Sequence, residues 1–270
     1  MVGILRQSAS LVTPRMLSLR PLPAFEDNYI WVLSNPANQA VIVDPGEAAP
    51  VFAAVAEGLQ PIAIVLTHHH PDHVGGVGEL LSRFDIPCYA PVDERIAHAT
   101  QRVREGDRVK IPELALDLQV LEVPGHTLSH IAYVGAGMLF CGDTMFSLGC
   151  GRLFEGTPLQ MMTSLERMAA LPGDTLVCCG HEYTQSNGRF SLAVEPENPA
   201  RDLRLAEVAA LRSRAQPSLP STIASERACN PFLRIDAPGV RSALEVQAGH
   251  ALDRVAAFTA LRVWKNGFAG

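Results

Sequence analysis

Short apolar runs broken by Pro, Gly and Asn dominate the first half of the chain, at residues 29–33, 40–43, 62–66, 87–90, 114–123, 130–134 and 138–141. Runs of this length predict strands, and those without polar alternation predict strands covered on both faces. Helical patterns lie between and after them, over 48–57, 74–84 and 158–170. Strands and helices are therefore interleaved. The interval 114–141 carries no helical pattern, so part of the sheet is expected to be antiparallel hairpins. Together these predict an α/β architecture of two mixed sheets covered by helices. After a strand-like run at 175–179 the chain becomes helical almost throughout, at 187–194, 199–216, 239–245 and 253–264, with Pro217, Pro220 and Pro231 in the connections. A sandwich over 16–181 followed by a helical domain over 182–270 is the expected division.

Composition narrows this picture. With 270 residues, 47% of them hydrophobic, the chain can bury a large core. No apolar stretch reaches the length of a membrane span, and those near Val51 and Val208 are broken by Glu or Arg. A net charge of −6 argues against a general nucleic-acid binder. Its distribution is uneven: from Glu182 onward there are eleven Lys/Arg against nine Asp/Glu, and before it eleven against nineteen. A mildly positive final third suits a small anionic ligand. Six cysteines are scattered without a Cys-x-x-Cys pair, the pattern of reduced thiols packed as small apolar groups, which predicts a cytoplasmic setting. Residues 1–15 hold Arg and Ser but no acid, a faint likeness to an organelle-targeting peptide; a disordered leader is the expectation.

The chemistry concentrates at Thr67-His68-His69-His70-Pro71-Asp72-His73, directly after the strand at 62–66. In open α/β sheets the C-terminal strand edge is where ligands bind. A His-rich tract alone is often a surface loop. This one ends a buried-type strand, contains an aspartate and has partners downstream. His68 and His70, two apart on extended chain, point the same way, whereas Asp72 and His73 fall in the turn opening the next helix. One loop can thus serve two metals. Three later strand ends each couple a glycine to one ligand-type side chain: Gly125-His126, Gly142-Asp143 and Gly180-His181. His68, His70 and His126 are assigned to one divalent metal and Asp72, His73 and His181 to the other, with the two oxygens of Asp143 bridging. His69 is expected to point away, His130 to orient a ligand, and His98 and His250 to lie in helical, polar surroundings at the surface.

Thr67-His68-x-His70-x-Asp72-His73 with His126, Asp143 and His181 in that order resembles the metallo-β-lactamase superfamily. Within it the chain most resembles the bacterial type of the hydroxyacylglutathione hydrolase (glyoxalase II) family. The closer likeness rests on residues 25–31, on Gly149-Cys150-Gly151-Arg152-Leu153-Phe154-Glu155-Gly156, on Cys179-Gly180-His181-Glu182-Tyr183-Thr184 and on Asn230-Pro231-Phe232-Leu233-Arg234. It runs from about Met16 to the C-terminus.

The resemblance implies an αββα metallo-β-lactamase-like sandwich as catalytic domain, with the C-terminal helical domain binding substrate. It implies hydrolysis of S-D-lactoylglutathione to D-lactate and glutathione, a step of methylglyoxal detoxification, with two metals per chain. Zinc is expected, although His and Asp donors also suit iron and manganese. Asp72 would orient the attacking hydroxide. Arg152, Tyr183, Arg262 and Lys265 would bind glutathione, and Phe154 stands where some relatives carry Tyr. No nucleic-acid or membrane partner is expected, and a monomer is. Competing readings are a lactonase or nuclease of the same superfamily, or a persulfide dioxygenase; the nuclease would require a basic groove and the dioxygenase a single iron.

Overall fold

The computed structural model describes residues 17–268, so the leader expected over residues 1–15 lies outside the described residues. The apolar runs assemble into two six-stranded sheets. The first contains, in spatial order, β1 (Ser18–Ala24), β2 (Asn28–Ser34), β3 (Gln39–Val43), β4 (Gln60–Val65), β5 (Cys88–Pro91) and β6 (Gln101–Val103). Its first three strands are antiparallel and the remainder parallel. The second begins with the antiparallel β7 (Arg108–Ile111), β8 (Leu116–Glu122), β9 (Ile131–Gly135) and β10 (Met138–Gly142). A small hairpin of β11 (Met145–Phe146) and β12 (Gly149–Cys150) follows. The sheet is completed by β13 (Leu176–Cys179), parallel to β10, and by β14 (Ser221–Thr222) at its edge.

Alternation along β2 explains the layering. Tyr29, Trp31 and Leu33 join Val41, Val43 and Val65 in a core shared with the second sheet. Ile30 and Val32 join Ile42 and Ile64 on the opposite face. There they meet Val51 and Ala54 of α1 (Ala49–Ala56) and, beyond the short α2 (Pro71–Val74), Val77 and Leu80 of α3 (Val77–Arg83). Covered on both faces, such strands read as unbroken apolar runs. α4 (Pro158–Ala169), started by a Thr157–Gln160 capping box, contributes Met161, Leu165 and Met168 to the core of the second sheet.

The C-terminal helices are α5 (Thr184–Val194), α6 (Pro199–Arg212), α7 (Ile223–Cys229), α8 (Pro238–Ala248) and α9 (Arg254–Gly267). Phe190, Phe232, Leu244, Phe258 and Leu261 belong to the same apolar cluster as the second sheet, so the two parts of the chain share one core. They also share a sheet, because β14 pairs with β13. The part after His181, expected to be helical almost throughout, contains five helices and that one strand, which at two residues is too short to leave a hydrophobic period.

The expected helix over 74–84 is also divided. The Gly76 N–H bonds to the Pro45 carbonyl rather than continuing the ladder. A Cβ on Gly76 would lie 2.4 Å from the Glu47 carbonyl carbon, and one on Gly46 would lie 1.9 Å from the Asp72 carbonyl oxygen. The segments after β3 and β4 thus pack backbone to backbone, which only glycine permits. This close approach seats Asp72 and His73.

Trp31 ties the sheets together directly: its Nε1 donates to the buried Cys179 carbonyl at 2.9 Å, two residues before His181. Trp31→Phe leaves that carbonyl unpaired and a small void beside it, and is expected to cost about 1–3 kcal/mol. Urea unfolding should show a lower midpoint at unchanged slope; an unshifted midpoint would refute the cross-link.

Candidate metal centre and adjoining cavity

Four strand ends deliver the site. The loop after β4 carries His68 and His70, the turn after β8 carries His126, Asp143 follows β10 and His181 follows β13. His70 Nδ1 lies 3.0 Å from His68 Nε2 and 2.9 Å from His126 Nε2. The hydrogen-bond network assigns the tautomers. Thr67 Oγ1 donates to Asp44 Oδ2 at 2.7 Å and so accepts from His68 Nδ1. His126 Nδ1 donates to the Arg152 carbonyl at 2.8 Å. Both Nε2 atoms therefore present lone pairs, and one proton on His70 Nδ1 cannot satisfy both. Three converging imidazole nitrogens fit a cation.

The second set is similar. His73 Nδ1 donates to Asp44 Oδ2 at 3.0 Å and His181 Nδ1 to Asp27 Oδ1 at 2.8 Å, which turns both Nε2 atoms inward. His181 Nε2 faces Asp72 Oδ2 at 3.3 Å. Asp143 stands between the sets, with Oδ1 3.3 Å from His73 Nε2 and Oδ2 3.3 Å from His181 Nε2 and 3.5 Å from His126 Nε2. His73 Nε2 and Asp143 Oδ1 are buried without a hydrogen-bond partner. Such atoms are costly unless a further group satisfies them. The donor atoms of His68, His70 and His126, and those of Asp72, His73 and His181, each lie within 4.8 Å of one another. Two clusters sharing a buried carboxylate fit a dinuclear metal site.

The electrostatics agree. Burial opposes protonation of His73 and His181, yet the Asp143 carboxylate, aided by Asp44 in one case and by Asp72 and Asp27 in the other, raises them to about 10 and about 11. This half of the site is a centre of negative potential that calls for positive charge. The first set is the reverse: burial, then His126 and His69, push His70 down to about 4. Burial works against ionised Asp72, but hydrogen bonding to His181 and the charge of His73 hold it well below the usual carboxylate range.

Several supporting residues escaped the sequence reading. Asp44, in Asp44-Pro45-Gly46 after β3, binds the Thr67 N–H, the Thr67 hydroxyl and His73. An aspartate followed by Pro-Gly at a strand end was the available signal. Asp27 fixes His181, and Asn28 Nδ2 donates to Asp72 Oδ2 at 3.0 Å. His130 accepts the Asp143 N–H at Nε2 and stacks on His68. His69 points away, toward Asp93 and Glu155. His98 and His250 are exposed, His98 in a turn with its ring against Gly78 of α3 and His250 in a bend just after the C-cap of α8. Gly180 leaves room for the centre: a Cβ there would lie 2.6 Å from His73 Cε1 and 2.7 Å from Asp143 Oδ1.

A cavity of about 610 Å³ opens from this centre toward α9. Arg152, Phe154, Tyr183, Arg262 and Lys265 all line it. Tyr183 stacks on His181 at 4.7 Å, and the exposed Phe154 ring stands edge-on to His70 and His126. Arg262 is buried and already engaged, its Nη1 donating to the Cys150 carbonyl at 2.8 Å and its Nε to Asn266 Oδ1. Lys265 Nζ sits near the Phe190 and Phe268 rings and 3.5 Å from the Ser186 carbonyl, with no carboxylate paired to it among the described residues. All six cysteines are buried free thiols. Among the described residues no helix is long and apolar enough to cross a membrane.

Residues 25–181 match the model of the metallo-β-lactamase superfamily, and residues 182–268 match that of the hydroxyacylglutathione hydrolase C-terminus. A hydroxyacylglutathione hydrolase of Xanthomonas campestris pv. campestris is 54% identical over 255 residues, 93% of this chain and 99% of its own. That of Cupriavidus metallidurans is 53% identical over 266 residues, 94% and 100% of the two chains. Among solved structures, the B3 metallo-β-lactamase BLEG-1 is 25% identical with a TM-score of 0.61, covering 81% of this chain and 99% of its own. TTHA1623 in a di-iron-bound form is 25% identical with a TM-score of 0.57, covering 80% and 100%. Matched along nearly its whole length, this chain belongs to the hydroxyacylglutathione hydrolase family of the metallo-β-lactamase superfamily.

Proposed function

We propose that the protein hydrolyses S-D-lactoylglutathione to D-lactate and glutathione. The observation that carries this reading is one cavity with two His/Asp donor sets joined by Asp143 at one end and, at the other, Lys265 without a carboxylate partner among the described residues. That arrangement suits a reactive carbonyl attached to an anionic tail. The relatives' shared name adds the thioester.

In this reading His68, His70 and His126 hold one divalent ion and Asp72, His73 and His181 the other, with Asp143 shared. Zinc is the proposed metal, and iron or manganese would accept the same donors. Bound there, such ions supply Lewis-acid polarisation of a carbonyl and a lowered pKa for water. The chain's own residues do the remainder. Asp72, ionised and held by Asn28, accepts a hydrogen bond from water and turns its lone pair toward the thioester carbon. The thiolate departs without a general acid, because a thiol pKa near about 8.5 makes it a good leaving group. Lys265 and Arg152 pair with the glutathione carboxylates. Arg262 lends charge while bracing the Cys150 carbonyl, and Tyr183 and Phe154 flank the thioester with apolar surface. We also propose residues 16–181 as the catalytic domain and 182–270 as the substrate-binding domain. The reading includes a monomer without nucleic-acid partners, in a reducing cytoplasm that keeps the buried thiols free.

Purified protein should consume S-D-lactoylglutathione, followed by loss of thioester absorbance, with close to two metal ions per chain. Asp143→Ala should lower turnover at least about 10³-fold and reduce bound metal, and chelation should abolish turnover until metal is returned. Two bound metals without thioester turnover would transfer the site to a lactone, another ester or a phosphodiester.

Lys265 yields a pH test. Burial, then the charges of Arg262 and Arg189, push its ammonium down to about 8. It is charged below that pH and neutral above, so binding of an anionic ligand weakens as pH rises through 8. KM should climb by up to about tenfold between pH 7 and pH 9. Lys265→Met should start from the raised KM and show a flat profile, with kcat changed much less. A KM in Lys265→Met equal to the unmutated value would remove the residue from the binding site.

A further inference from the structure

The Asn230-Pro231-Phe232-Leu233-Arg234 segment and the buried Glu226 before it have no place in the chemistry above. The Asn230 and Glu226 side chains are fully buried. They lie behind the β11–β12 hairpin, whose Phe146 and Cys150 form part of the cavity wall. Each strand of that hairpin has two residues, and its turn holds Leu148 at φ +60°. So short a ladder does not hold itself.

The polar groups of the hairpin are instead held by side chains from the helical part of the chain. Glu226 Oε2 accepts the Leu148 N–H at 2.8 Å. Asn230 Nδ2 donates to the Phe146 carbonyl at 3.1 Å and the Gly149 carbonyl at 2.9 Å. Asn187 Nδ2 donates to the Ser147 carbonyl at 3.0 Å. Asn230 and Glu226 are bonded to each other at 3.0 Å, and the second Glu226 oxygen accepts the Ser221 hydroxyl. No cation pairs with Glu226 among the described residues. A buried carboxylate of this kind is a poor source of stability compared with apolar packing. Its acceptor geometry is what the hairpin uses.

The chain leaving the hairpin leads straight to the site. The Cys150 carbonyl is held by Arg262, the Gly151 N–H bonds to the Thr144 carbonyl, and the Arg152 carbonyl fixes His126 Nδ1. At its other end, Phe146 lies edge-on to Tyr183 at 5.2 Å. We infer that Glu226, acting with Asn230, is a positioning residue for substrate: it holds the β11–β12 hairpin so that Phe146, Cys150 and Arg152 stand where the glutathione thioester binds. The inference rests on the proposed activity.

Glu226→Ala leaves the Leu148 N–H unpaired and frees the hairpin. Assayed with S-D-lactoylglutathione at saturating metal, it should raise KM about tenfold while kcat stays within about twofold. Amide exchange should accelerate over residues 145–152 and not in β2 or β3. Glu226→Gln keeps one acceptor oxygen for Leu148 and Asn230 and can donate to Ser221, so it should restore KM to within about twofold of the unmutated enzyme. If Glu226→Ala does not accumulate, Asn230→Ala, which removes the donor to two hairpin carbonyls, should give the same KM signature. A purely structural role would lower the active fraction, and hence apparent kcat, at unchanged KM, and that result overturns the inference alone. An unmutated protein inert toward the thioester overturns both it and the activity on which it rests.

Discussion

Everything around the site follows from one requirement: several electron pairs must be aimed into one small, buried volume and kept there. Electron pairs so arranged repel each other and lose hydration, a cost that positive charge and a rigid surround offset. The surround is visible atom by atom. Thr67 and Asp44 stand behind His68 and His73, the Arg152 carbonyl behind His126, Asp27 behind His181 and Asn28 behind Asp72. Each partner behind a histidine binds its outer nitrogen and so fixes which nitrogen turns inward, while Asn28 holds the same Asp72 oxygen that faces His181.

That constraint explains why the fold is tightest where backbones meet. Gly46 and Gly76 let the segments after β3 and β4 touch without side chains, and Gly180 gives His73 and Asp143 their space. It also explains the cross-sheet bond from Trp31 to Cys179, since His126, Asp143 and His181 come from the second sheet and the His68–His73 loop from the first. If the sheets slid by an ångström, the two donor sets would no longer share Asp143. The C-terminal part takes part in this frame through β14, the common apolar core and the bonds from Arg262, Glu226 and Asn230 to the hairpin.

Much of this was legible in the chain alone. Strands covered on both faces appear as apolar runs, so the two sheets and their helices could be read from periodicity, and the absence of a helical pattern between 114 and 141 correctly marked antiparallel pairing. Elements of two or three residues, β6, β11, β12 and β14, are too short to carry a period. The break between α2 and α3 depends on a distant neighbour in sequence, Pro45, whose carbonyl takes the Gly76 N–H.

The same division holds for chemistry. By itself the sequence determined which side chains can ligate, because residue type and a two-residue spacing on extended chain decide that locally, and it placed each of them beside a strand end. Only the tertiary structure decided which donor atoms face inward, that Arg262 is already bound to the Cys150 carbonyl while Lys265 has no carboxylate partner among the described residues, and that Asp44 stands behind His73. Tautomers, hydrogen-bond partners and unpaired charges are properties of neighbours brought together from distant positions, and no local pattern encodes them.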